Sequence, residues 1–119
     1  MNRDSIIATM CLAYNVAQAD GLQGKEAVIL ERELASFKLN DTDRQSIINQ
    51  YKELPLFRAV EVIRNGSEEE RKEANALVML STIADGVLSE KEQGAYSIIA
   101  KLCYFQKMTL EEAHKQLKF

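Results

Sequence analysis

Two stretches of this chain contain no charged side chain, although charged residues make up 28% of its 119 residues. The first lies between Asp4 and Asp20, and the second lies between Glu73 and Asp85. Both have apolar residues at helical spacing, but both also contain uncharged polar residues and are shorter than a membrane span requires. The pattern therefore predicts two buried core helices, each of which ends in an aspartate.

Start and stop signals predict the other helices. Asn40 fits an N-cap, and Ser67, Ser89 and Thr109 are each followed three residues later by a glutamate, as in a capping box. Pro55 suits the first turn of a further helix. Few runs alternate apolar with polar residues as a half-buried strand would. We predict a single all-α domain over residues 1–119 with about seven helices, the first over residues 3–19 and the second over 25–37.

The two aspartates that end the charge-free stretches also reveal a repeat. Asp20 and Asp85 lie 65 residues apart, and the same ungapped shift aligns Leu12 with Leu77. We therefore predict two helix-elbow-helix units with pseudo-twofold symmetry around the two buried central helices. The repeat argues against a signal peptide cleaved after Ala19, because cleavage would remove one of two equivalent core helices.

Each repeat contains an Ala-Asp-Gly elbow followed by a glutamate, in "VAQADGLQGKE" and in "STIADGVLSEKE". A carboxylate in the last turn of a helix lies at the negative end of the helix dipole, which costs about 0.3–1 kcal/mol. Backbone N–H groups of the elbow could offset this cost, and so could a divalent cation held by Asp20, Glu26, Asp85 and Glu92. Such oxygen ligands suit calcium or magnesium. Both interpretations stay open at this stage.

Other chemistries find little support in the sequence. The elbows lack the regularly spaced oxygen ligands of an EF-hand, and the single histidine, His114, excludes the usual zinc spacings. No plausible catalytic dyad is present, so we expect no enzymatic activity. The 15 basic residues are scattered among 18 acidic ones, which disfavours nucleic acid as a partner. Cys11 and Cys103 lie in apolar helical patterns, so we expect free, buried thiols and a cytoplasmic location without a membrane span.

The segments "IADGVLSEKEQGAYSIIAKLCYF" and, more loosely, "AQADGLQGKEAVILERELASF" resemble the TerB-like superfamily of tellurite-resistance and DjlA-type proteins. The resemblance spans nearly the whole chain. It implies an all-helical domain with internal pseudo-symmetry, an association with envelope stress and tellurite or metal-ion resistance, and acidic elbows that are suspected metal ligands. The first elbow departs from the pattern, since Glu26 lies six residues after Asp20 whereas Glu92 lies seven after Asp85.

Two apolar segments suggest a protein partner instead. The segments are "YKELPLFRAVEVI" and "LCYFQKM", and their large apolar residues are Tyr51, Leu54, Leu56, Phe57, Val60, Tyr104, Phe105 and Met108. Most should lie in the core, but any that are exposed would form a groove for an amphipathic helix or a second copy of the chain. From the acidic elbows and the TerB-like resemblance, we expect a non-enzymatic, stress-associated binding module that holds a divalent cation. The alternative is a protein-interaction or scaffold domain without metal, in which the elbows are structural.

Overall fold

The computed structural model describes residues 2–20, 40–82 and 90–116. All regular structure in these ranges is helical, which confirms the all-α fold class. The elements are α1 (Arg3–Ala17) with a 3-10 turn (Gln18–Asp20) after it, α2 (Asp41–Tyr51), α3 (Leu56–Arg64), α4 (Glu68–Thr82), α5 (Glu90–Leu102) and α6 (Leu110–Gln116). The helix predicted over 25–37 lies outside the described residues.

The N-terminal caps explain why most of these helices begin where they do. The side chain of Asn40 accepts from the backbone N–H of Asp43 at 2.7 Å, as predicted. Asn2 caps α1 in the same way, because its side chain accepts from the backbone N–H of Ser5 at 2.8 Å; this cap was not predicted. Pro55 is the N-cap of α3 rather than part of its first turn, because its ψ of 139° is extended.

Two of the three predicted capping boxes are confirmed. In the first, Ser67 Oγ accepts from Glu70 N at 3.1 Å, and Glu70 Oε1 accepts from Ser67 N at 3.2 Å. Thr109 and Glu112 form the same reciprocal pair at the start of α6. The third box requires Ser89, which lies outside the described residues.

Helix α1 is the centre of the core. Residues 5–13 are buried without interruption, and α1 packs against α2, α3, α4 and α5. Its buried Thr9 hydroxyl donates to the carbonyl of Ser5 at 2.7 Å, so this polar group is satisfied within the helix. In α4, residues 74–78 are buried and join the same core. The burial predicted for the two charge-free segments is therefore confirmed over these residues.

A hydrogen bond joins the first turns of the two central helices. Ser5 Oγ on α1 donates to Glu70 Oε2 on α4 at 2.8 Å. These two positions are 65 residues apart, the spacing that aligns the two predicted repeats. The pseudo-twofold relation itself stays a prediction, because most residues of both elbows lie outside the described ranges.

Among the described helices, none combines the length and the apolar character needed to cross a bilayer.

Candidate functional site

An apolar groove lies between α3 and the end of α5. We call it the α3–α5 groove; its volume is about 710 Å³, and its walls are formed by Leu56, Phe57, Val60, Glu61, Arg64, Asn65, Leu102 and Tyr104. Helix α3 is amphipathic and turns Ala59, Val60 and Ile63 toward the core. Phe57 lies off this buried stripe and is 69% exposed.

Tyr104 forms the opposite wall of the groove and has an unusual backbone. Its φ is +60°, and Phe105 N donates to the carbonyl of Ala100 at 2.9 Å, which closes the end of α5. A left-handed conformation is costly for a bulky residue. The side chain also contacts Arg64, whose guanidinium lies 4.5 Å from the ring centroid and donates to the tyrosine hydroxyl.

The residues predicted for a partner surface divide between the groove and the core. Leu56, Phe57 and Tyr104 are exposed in the groove, whereas Tyr51 is buried. The others are Val60, which is buried at the base of the groove, and Leu54, Phe105 and Met108, which are half-buried. The sequence analysis missed Leu102, which is exposed in the groove although its neighbour Cys103 is fully buried. Neighbouring helical residues face different directions, and the apolar pattern alone does not show which one faces outward.

Two of the four predicted metal ligands, Asp20 and Glu92, lie within the described residues. Glu92 lies in the first turn of α5 and is 5% exposed. Asp20 ends the 3-10 turn, which packs against α5. Glu26 and Asp85 lie outside the described residues. Within the described part of the chain, no group of three or more His, Cys, Asp or Glu residues is arranged to hold a metal ion.

Glu92 differs from the glutamates of the two confirmed capping boxes. Glu70 is half-buried and Glu112 is exposed, so a glutamate can complete a capping box without being buried. A buried carboxylate at a helix N-terminus is favoured by the helix dipole but loses hydration. The burial of Glu92 is therefore a feature that a capping role does not require.

A second cavity lies on the other side of Tyr104, and the sequence analysis did not anticipate it. This α4–α6 pocket has a volume of about 470 Å³ and is formed by α4, the segment 104–109 and α6. Its lining residues are Glu68, Arg71, Lys72, Asn75, Tyr104, Phe105, Gln106, Lys107, Met108, Glu112 and Gln116. Most of them are polar or charged, in contrast to the α3–α5 groove.

The cysteines and the histidine do not point to a catalytic site. Cys11 and Cys103 are free and fully buried, as predicted. Burial raises the pKa of each thiol to about 11, so both are protonated at neutral pH and behave as small apolar groups. His114 is exposed on α6.

Comparisons with known proteins add information on the fold alone. No family model and no curated protein matches the chain. The crystal structure of a protein of unknown function from Porphyromonas gingivalis W83 is similar, with a TM-score of 0.84 at 20% sequence identity. The match covers 98% of this chain and 89% of that chain. At this identity, the similarity shows that the helical architecture is shared and assigns no activity.

Proposed function

We propose that this protein is a non-enzymatic binding module whose α3–α5 groove takes an amphipathic helix of a partner protein. The observation that supports the proposal best is the exposure of Phe57 beside Leu56, Leu102 and Tyr104 in one groove. Contiguous large apolar side chains are unfavourable on a surface that faces only water, and such patches often mark interaction sites.

The shape of the groove favours a helix as the occupant. The wall formed by α3 extends from Leu56 to Arg64, which corresponds to about 12 Å or two helical turns. A helix that lies in such a groove inserts apolar anchors at positions i, i+3 or i+4, and i+7. The floor is apolar, while Glu61 and Arg64 contribute one charge of each sign to the rim. This arrangement suits a helix with an apolar stripe flanked by complementary charges.

The resemblance to TerB-like proteins supplies the broader part of the proposal. The all-helical fold agrees with what that resemblance implies. On this basis we propose a stress-associated adaptor role. We propose the cytosol as its compartment, because the two thiols are free and buried.

A peptide-display screen tests the groove. Fragments of the native proteome are selected on the purified chain, and the affinities of enriched peptides are measured for the wild type and two variants. We expect peptides with apolar residues at helical spacing, whose binding is weakened at least about ten-fold by Phe57→Ser. Ile98→Ser is the matched control, because Ile98 is 63% exposed on α5 and lies outside the groove.

Three results would contradict the proposal. The first is enrichment of peptides that bind the Phe57→Ser variant as tightly as the wild type. The second is no enrichment relative to a selection performed on Phe57→Ser. The third is concentration-dependent dimerisation in analytical ultracentrifugation that Phe57→Ser abolishes, because the groove would then be covered by a second copy of the chain.

A second candidate function is cation binding at the acidic elbows, which the burial of Glu92 favours. We propose that Asp20, Glu26, Asp85 and Glu92 hold calcium or magnesium, with carbonyls and water completing the coordination. The packing of α5 on the 3-10 turn that ends at Asp20 is consistent with this set.

Thermal unfolding in chelator, and then with each cation, tests this second function. A cation that binds only the folded state at 100 times its dissociation constant adds about 2.7 kcal/mol of stability. Glu92→Gln and Asp85→Asn should abolish the shift, whereas Ser89→Ala, which removes no carboxylate, should retain it. If about one-millimolar cation leaves the midpoint unchanged, or if Glu92→Gln retains the full shift, cation binding by this set is wrong.

A further inference from the structure

We propose that the α4–α6 pocket binds a small organic anion, a carboxylate or a phosphate, through the guanidinium of Arg71. This inference does not depend on the proposed function, because the pocket and the α3–α5 groove are separate cavities that share only Tyr104 among their lining residues. It rests on three observations, which concern the hydrogen bonds of Arg71, the floor of the pocket and the charges around it.

Two backbone carbonyls accept hydrogen bonds from Nη1 of Arg71, and the Nε–Nη2 edge of its guanidinium makes no ion pair with a described residue. Its Nη1 donates to the carbonyl of Gly66 and, at 3.3 Å, to that of Arg64. The Nε and Nη2 atoms have three further N–H groups, and no carboxylate pairs with them in the described part of the chain. This edge of a guanidinium binds a carboxylate or phosphate through two parallel hydrogen bonds. Arg71 is half-buried, so its charge is less well hydrated than that of an exposed arginine.

The floor of the pocket is polar and hydrogen-bonded. Asn75 is 1% exposed, and its Oδ1 accepts from the hydroxyl of Tyr96 at 2.5 Å. Its Nδ2 donates to the carbonyl of Gln106 at 3.0 Å, which ties α4 to the segment before α6. The cavity is therefore supported by a hydrogen-bond network rather than by loose side chains.

The charges around the pocket favour an anion. Arg71, Lys72 and Lys107 provide three positive charges, against Glu68 and Glu112, in a chain whose net charge is −3. Glu112 is engaged in the cap of α6, where Oε1 accepts from Thr109. Glu68 Oε1 lies 3.8 Å from Lys72 Nζ, and an exposed ion pair of this kind contributes little to stability. Lys107 has no ion-pair partner within the described ranges.

The remaining walls suggest what the anion is attached to. Phe105 and Met108 are half-buried at the pocket and offer apolar contact beside the cationic groups. A volume of about 470 Å³ lies within the range of small-molecule sites, which is about 300–1,000 Å³. We therefore expect the ligand to combine an oxyanion with an aryl or alkyl group.

Titration calorimetry with benzoate, phenyl phosphate and inorganic phosphate tests the inference. We expect saturable binding of phenyl phosphate or benzoate, with inorganic phosphate weaker than phenyl phosphate because it lacks the apolar group. Stronger binding of phenyl phosphate would identify a phosphate ester as the natural class, and stronger binding of benzoate would identify a carboxylate. Arg71→Lys should weaken binding about ten-fold or more, since lysine cannot form the bidentate pair.

Two further variants separate binding from folding. Lys107→Gln alters only an exposed side chain and should weaken binding by several-fold while the far-UV spectrum is unchanged. Arg58→Lys is the matched control, because Arg58 pairs with Glu61 outside the pocket. The inference is wrong if no probe saturates at about ten-millimolar concentration. It is equally wrong if Arg58→Lys weakens binding as much as Arg71→Lys, or if Lys107→Gln leaves the affinity unchanged.

Discussion

Helices α1 and α4 have the same length of 15 residues but different surroundings. Residues 5–13 of α1 are buried without a break, whereas the buried run of α4 covers only residues 74–78. The first half of α4 is exposed or half-buried and contributes Glu68, Arg71 and Lys72 to the α4–α6 pocket. One central helix thus lies within the core, and the other extends from the core to the α4–α6 pocket.

The difference follows from where the charges begin. In α1 the last charged residue is Asp4, near the helix start, whereas α4 has charges as far as Glu73. The 65-residue shift also aligns Met10, a fully buried apolar residue, with Asn75, the polar floor of the pocket. The length of a charge-free segment therefore predicts how many residues of a central helix can be buried, because a buried charge would lose its hydration.

The largest expected effect comes from truncating the core side chains at two aligned positions. Leu12 and Leu77 are both fully buried, so Leu12→Ala and Leu77→Ala should each lower the free energy of unfolding by about 2–5 kcal/mol. We expect Leu12→Ala to cost more, because α1 packs against four helices. Urea unfolding followed by circular dichroism measures both. A clearly larger cost at Leu77 would reverse the comparison.

The next effect concerns the polar position of α4. Asn75→Leu keeps the branched shape of the side chain but leaves the Tyr96 hydroxyl and the Gln106 carbonyl without their partner, so it should cost about 1–3 kcal/mol. Met10→Leu, at the aligned position of α1, should cost less than about 1.5 kcal/mol. The same unfolding assay applies. Equal costs would show that the polar network adds nothing to stability.

A smaller effect is expected at the helix starts. Asn2→Ala and Ser67→Ala each remove a side chain that accepts from a backbone N–H, so each should cost about 1 kcal/mol. Asn2→Asp and Ser67→Thr retain an acceptor oxygen and should be nearly neutral. If Ser67→Ala cost nothing, the capping box at α4 would be a geometric coincidence rather than a stabilising contact.

The smallest effect depends on pH and involves the contact between α1 and α4. The Ser5 hydroxyl and the Ser67 backbone N–H lower the pKa of Glu70 by stabilising its carboxylate. A carboxyl whose pKa is lower in the folded state contributes stability above its unfolded pKa and loses it as the pH falls through the folded pKa. The stability difference between wild type and Ser5→Ala should therefore be largest near neutral pH and shrink in acid. Urea titrations from about pH 7 to about pH 3 measure it, and a constant difference would contradict this assignment.

Local rules predicted much of the fold from the sequence. The caps at Asn40, Ser67 and Thr109 depend only on residues within one helical turn, and a charge-free run indicates burial without knowledge of the neighbours. The apolar pattern also predicted the two segments that line the α3–α5 groove. It did not predict which of their side chains face outward. Phe57 and Val60 are equally apolar candidates, and only the packing of α3 on the core distinguishes them.

The α4–α6 pocket was less predictable because it depends on contacts between distant residues. In the sequence, Asn75 is simply a polar residue within a predicted core helix. Its place in the hydrogen-bond network depends on Tyr96 and Gln106, which are distant in the sequence. Tyr104 has a left-handed backbone although it is not a glycine, so the residue type does not predict this conformation. Arg71 reads as one charge in an acidic run, whereas its bonds to the carbonyls of Arg64 and Gly66 leave one edge available.

We propose that the exposed apolar residues of the α3–α5 groove recognise a partner helix. The most direct test is a titration of one helical peptide from the display screen against the wild type, Phe57→Ser and Ile98→Ser. We predict saturable binding that Phe57→Ser weakens at least about ten-fold and that Ile98→Ser leaves unchanged. Equal affinity for all three proteins would show that the groove is not the recognition surface.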